Sequence, residues 1–317
     1  MRESRSGPRR PSTPESVTRA STDRDSGSAD IGLGFLAELE SWIATDTSGS
    51  APALRSALLR RLRQAQADQP SMALVHQLAA RALQVADGGA AREQKVPELR
   101  TELARSCEAE RADLIAAGEA VARTAVELLD RREPWIATLS NSGTVRDALC
   151  RVRDSGREPR ALCAEGRPRL EGRRLATALA AAGLPVWLVA DAALPLLLSQ
   201  VHALWIGADA VTDRGVINKI GSFATALAAR EHSVPVYALA VRKKFLPAGT
   251  GALKIVEMPP GELWEEPATG VRPRNLYFEV VPLELLRGVV VEDGVLGPTE
   301  AAIVARERPL PEELAGG

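Results

Sequence analysis

WIGADAVTDRGVINKIGS, residues 205–222, is the stretch whose reading decides the fold. An apolar run stops at Gly207 and Asp209 follows, which puts the carboxylate at the carboxyl end of a strand, where open α/β sheets bind ligands. A loop containing Gly215 leads on to Asn218 and Lys219, read as the start of the next helix, with a cation and free backbone N–H groups facing the same mouth.

Outward from that stretch, the hydrophobic period alternates between strand and helix. Strands are expected at about 135–139, 161–164, 186–190, 203–206 and 236–241, with helices between them at about 144–152, 171–182, 192–199 and 217–231. Such alternation implies right-handed crossovers and a mainly parallel sheet covered on both faces, an α/β fold. Beyond Pro247 the pattern gives a strand near 276–281, a helical turn near 282–286 and a short strand near 289–292.

Each strand ends in a polar cluster on the same side of the sheet. Ser140, Ser142 and Gly143 follow the first, Glu165 and Arg167 the second, Asp191 the third and Asp209 the fourth. These loops, with Asn218 and Lys219, are expected to converge on one anion-accepting mouth. Ser142 and Gly143 offer a hydroxyl and free N–H groups at a helix start, Arg167 a bidentate fork, and Lys219 a point charge. Each also has a structural reading: Ser142 as a helix cap, Arg167 paired with Glu165 or Asp191, Asp209 closing the loop to Asn218.

Ahead of the sheet, residues 30–132 read as a helical domain. Leu33, Phe35, Leu36, Leu39 and Trp42 fall at helical spacing, Ser50 and Pro52 open a second helix, and Pro70 and Ser71 a third that is expected to end at Gly88-Gly89. A fourth carries a stripe from Leu99 to Leu128. Residues 1–29, rich in Ser, Arg, Pro and Asp, read as a disordered tail, 133–306 as the sheet domain and 307–317 as a loose tail.

Composition removes several function classes. The chain has 317 residues, 45% apolar and 26% charged, with 40 basic against 41 acidic side chains, so no global field draws in nucleic acid or a membrane. No apolar run approaches the ~20 residues that span a bilayer. Cys107, Cys150 and Cys163 are scattered, and His76, His202 and His232 form no ligand spacing; no metal is expected, and cytoplasmic thiols fit best. Walker-type loops are absent and no cofactor is expected. Lys243 and Lys244 extend the positive rim, or are simply solvated.

The run GADAVTDRGVINKIG at 207–221, with TLSNSGTV at 138–145, the stretch at 164–194 and RNLYFEVVP at 274–282, resembles the translation initiation factor 2B alpha/beta/delta family. That family includes methylthioribose-1-phosphate and ribose-1,5-bisphosphate isomerases. The resemblance covers about 70–290 and implies an N-terminal helical subdomain, a Rossmann-like sheet domain, a homodimer or an assembly of paralogous subunits, and a phosphorylated small molecule as ligand. It also implies that Asp209 is the family's proton-transferring Asp and that Asn218 and Lys219 hold substrate. The family's catalytic Cys falls on Ser140, a far weaker acid than a thiol of pKa ~8.5, and no base adjacent to it is visible in the sequence. A substrate Arg falls on Gln69, and the family's Arg-Gly-Ala segment has no evident counterpart. The expectation is a ligand-binding protein with a degenerate isomerase site. The alternative is an aldose–ketose isomerase of phosphorylated pentoses, with Asp209 and Ser140, or Cys163, as its catalytic pair.

Overall fold

The computed structural model describes Asp23 and residues 26–316. Four helices come first: α1 Ser28–Thr45, α2 Ala51–Asp68, α3 Ala73–Ala91 and α4 Val96–Glu127. The Ser50 hydroxyl accepts from Ala53 N and starts α2, with Pro52 in the first turn, as the sequence implies. The third helix runs through Gly88-Gly89 instead of ending there. Gly89 lies so close to α4 that a Cβ on it would sit 2.4 Å from Leu99 Cδ1, so the glycine serves helix packing rather than a stop.

The remaining chain alternates as expected: β1 Trp135–Thr138, α5 Gly143–Asp154, β2 Arg160–Ala164, α6 Glu171–Ala181, β3 Val186–Val189, α7 Leu194–Leu197, β4 Ala203–Ile206, β5 Ala210–Val211, β6 Gly215–Lys219, α8 Ser222–Glu231 and β7 Val236–Leu239. Then come β8 Glu257–Met258, β9 Asn275–Leu276, β10 Phe278–Pro282, β11 Gly288–Val291, β12 Gly294–Leu296, α9 Pro298–Arg306 and α10 Glu312–Ala315. Seven strands form the main sheet in the order β12-β11-β7-β4-β1-β2-β3, all parallel except β12 on β11.

Side-chain alternation divides this sheet between two layers. Ile136, Ala161, Cys163, Trp205 and Val290 join one core with α1–α6, while Ala137, Leu162, Leu204, Ala238 and Val289 join a second with α7, α8 and α9. The N-terminal helices therefore cover one face of the sheet and share its core.

Three further local readings differ from expectation. Asn218 and Lys219 close strand β6 rather than opening a helix, because Gly215–Lys219 pairs antiparallel with β10 in a small sheet ordered β10-β6-β5; the helix begins at Ser222. Residues 28 and 29 belong to α1, and the rest of the expected N-terminal tail lies outside the described residues apart from Asp23, Ser26 and Gly27. The stretch after Arg306 is anchored: Leu314 is buried, and Gln66 Nε2 donates to its carbonyl at 3.1 Å.

Candidate functional site

The strand order reverses between β1 and β4, and the crevice beyond their carboxyl ends is the topological switch point of the sheet. A cavity of about 860 Å³ opens there. The loop after β1 supplies Ser140, Ser142 and Gly143, the loop after β4 supplies Asp209, and β6 supplies Asn218 and Lys219. The family-like motif is thus brought together although its middle is strand. Ser142 has both of its expected roles, lining the cavity and capping α5 by accepting from Val145 N at 3.3 Å. Gly207 permits the closure: a Cβ there would lie 2.8 Å from Ser142 Oγ.

Glu165, Arg167 and Asp191 do not line this cavity. They follow β2 and β3, on the side of β1 away from β4, where strands step off by ~4.8 Å each. Their polar groups serve one another and their surroundings. The Asp191 carboxylate accepts from Gly166 N and Arg167 N at 2.8 and 2.7 Å, Glu165 pairs with Arg173 at 2.7 Å, and the Arg167 guanidinium reaches the Leu263 carbonyl.

Electrostatics single out Asp209. Its carboxyl is pushed up to about 6 by desolvation, against the pull of Lys244 and Lys219 and a hydrogen bond from Ser28, with Glu171 adding to the rise. A carboxyl poised near neutrality can both give and take a proton. Lys219 Nζ lies 2.6 Å from Glu171 Oε1, both side chains being buried, and 4.4 Å over the Tyr277 ring. The second Glu171 oxygen has no hydrogen-bond partner among the described residues.

Ser140 takes up a left-handed backbone conformation at φ 69°, a strain of ~1–2 kcal/mol for a side-chain-bearing residue. Its hydroxyl lies 3.4 Å from Glu171 Oε1, so a carboxylate that sequence reasoning missed stands next to it. Glu171 lies 31 positions on, at the start of α6, and only the α6 crossover folds it back. Ser28 was missed for the same reason, and Lys244, expected on the positive rim or solvated, is buried in the cavity wall. Gln69, at the position of the family Arg, donates to the Asp23 carbonyl at 2.9 Å on the cavity wall. No cysteine is among the described residues that line the cavity; Cys163 is in the core, its thiol pushed up to about 12 by burial. No group of three or more His, Cys, Asp or Glu suited to a metal ion is found among the described residues. Nor is any helix there long and apolar enough to cross a membrane.

The sequence model of the initiation factor 2 subunit family matches residues 24–298. The chain belongs to that family. Over 181 residues it is 32% identical to the ribose 1,5-bisphosphate isomerase of Archaeoglobus fulgidus, a match covering 55% of this chain and 57% of that protein. The chain spans about half the length of the curated relatives it matches. Among solved structures, the Pyrococcus horikoshii OT3 translation initiation factor eIF-2B shares the fold at TM-score 0.76 and 23% identity, over 88% of this chain and 94% of that one. The tetrameric eIF2B-beta2-delta2 complex from C. thermophilum shares it at TM-score 0.67 and 19% identity, over 89% of each chain. This initiation factor 2 family member therefore has both isomerases and translation-factor subunits among its relatives and fold neighbours.

Proposed function

We propose that the switch-point cavity binds a phosphorylated sugar or nucleotide, that its isomerase chemistry is degenerate, and that binding serves regulation or assembly. The observation that carries this reading is the group at Ser140. An alcohol stands where a proton-accepting thiol is needed, and the carboxylate beside it is already paired with Lys219 at 2.6 Å. The start of α5 and Lys219 supply the positive wall that an anionic ligand requires. Calorimetry with ribose 1-phosphate, ribose 1,5-bisphosphate and adenosine monophosphate tests it: millimolar or tighter binding of one of them is expected, and none at all would overturn it.

A second reading, aldose–ketose isomerisation, is favoured by Asp209 near neutrality and by the Ser140–Glu171 contact. Turnover by the wild type that is lost in Asp209→Asn would establish it. Gain of turnover only in Ser140→Cys supports the degenerate site.

The regulatory or assembly role calls for a partner chain, either a second copy or a paralogous subunit. Support comes from the edge strand β3 and helix α7, where Trp187, Leu188 and Leu196 are 44%, 45% and 76% exposed. A cytoplasmic setting fits the free cysteines Cys107, Cys150 and Cys163.

A further inference from the structure

Lys244 differs from Lys219, the other buried lysine among the described residues, which is paired with Glu171. Lys244 is 2% exposed, yet it lines the cavity. Among the described residues its Nζ makes one hydrogen bond, to the Ala208 carbonyl at 2.7 Å, and no ion pair. The adjacent Lys243, by contrast, is paired with Glu110 and Asp113. An ammonium walled off with one carbonyl and no carboxylate in direct contact among the described residues is costly. Burial accordingly pulls the Lys244 pKa down, against the opposing influence of Asp209 on the β4–β5 loop and Asp30 on α1. The neutral amine satisfies the same carbonyl with one N–H and keeps its lone pair, which is how buried lysines become nucleophiles. In the same cavity wall is an acid, Asp209, whose carboxyl is pushed up to about 6 and whose proton is therefore available near neutral pH.

We propose that Lys244 is a reactive amine that captures the aldehyde of an open-chain phosphorylated aldose as an imine, with Asp209 as the acid for the dehydration. The proposal rests on the reading of the cavity as a sugar-phosphate site. The amine nitrogen adds to the aldehyde carbon, forming the C–N bond while the carbonyl π pair moves to oxygen; the nitrogen's proton passes to that oxygen and gives a carbinolamine. Asp209 then protonates the hydroxyl, which leaves as water as the nitrogen lone pair closes the C=N bond. Nothing is oxidised or reduced.

The test is reductive trapping of the full chain with ribose 5-phosphate and borohydride, followed by peptide mass mapping. Ribitol 5-phosphate, which has no carbonyl, measures plain binding in parallel. A single reduced adduct on Lys244 is expected, absent in Lys244→Arg and unchanged in Lys254→Arg at the cavity mouth, with trapping slowed roughly a hundredfold or more in Asp209→Asn. The trapping rate is expected to level off with rising pH below the range of ordinary lysines. Apo melting curves of each variant separate loss of the amine from loss of the fold. Adducts spread over Lys243, Lys254 and other surface lysines, or ribitol 5-phosphate binding without any adduct, would overturn the proposal alone. Failure of both sugar phosphates to bind would overturn the reading of the cavity with it.

Discussion

Asp209 shows how little of a residue's chemistry a sequence carries. Its position at a strand end was legible, because an apolar run broken by Gly-Ala-Asp has few other readings. Its protonation state was not, since that depends on desolvation and on Lys244 and Lys219, brought in from other elements. Because the folded pKa lies above the ordinary 3.8, the native state holds this proton more tightly than the unfolded chain. Asp209 therefore costs stability as pH rises from about 4 through about 6, and the cost is complete above that. Asp209→Asn is expected to raise stability relative to wild type at pH 8 by on the order of 2 kcal/mol, and to lose that advantage near pH 4. Thermal melts of both proteins at the two pH values check it. Removing one member of the buried Lys219–Glu171 pair is expected to destabilise instead. Lys219→Met strands a buried carboxylate, with an expected loss of about 3–5 kcal/mol in denaturant titration, whereas adding Glu171→Leu recovers most of it.

Among the elements, those defined by their own period were readable and those defined by a partner were not. The αβ alternation from Trp135 to Leu239 follows from the four- and five-residue apolar strands of the main sheet and the helical stretches between them. Strand β6 was misread because GVINK has no alternating pattern of its own; all five residues are buried, and pairing with β10 makes them a strand. Gly88-Gly89 was misread because a helix stop and a close helix contact have the same glycine signature. The two glycines should now separate by experiment. Gly88→Ala, facing only the flexible Arg92 side chain, is expected to stabilise by about 0.5–1 kcal/mol; Gly89→Ala, driven into Leu99, is expected to destabilise by about 1–3 kcal/mol. Paired chemical denaturation curves decide this, and equal effects would contradict the packing account.

Across the whole molecule, the site lies where the topology reverses, and this explains which candidates gathered. Ser140, Ser142, Gly143, Asp209, Asn218 and Lys219 flank the β1–β4 crevice; Glu165, Arg167 and Asp191 lie beyond β2 and β3. The sequence shows strand ends but not strand order, so all the loops had been credited to one mouth. The exposed apolar edge at Trp187, Leu188 and Leu196 bears on assembly at the same scale. Sedimentation is expected to find a dimer for the wild type and a monomer for Leu188→Glu/Leu196→Glu, and a monomeric wild type would remove the self-association reading. The central claim is that the pocket has kept its ligand and lost its turnover. A single NMR experiment tests it most directly: ribose 1,5-bisphosphate incubated with the wild-type protein, read for saturation transfer and for new ketose resonances. Saturation transfer without ketose is the predicted result; ketose formation by the wild type, or no transfer from this ligand, ribose 1-phosphate or adenosine monophosphate, would contradict it.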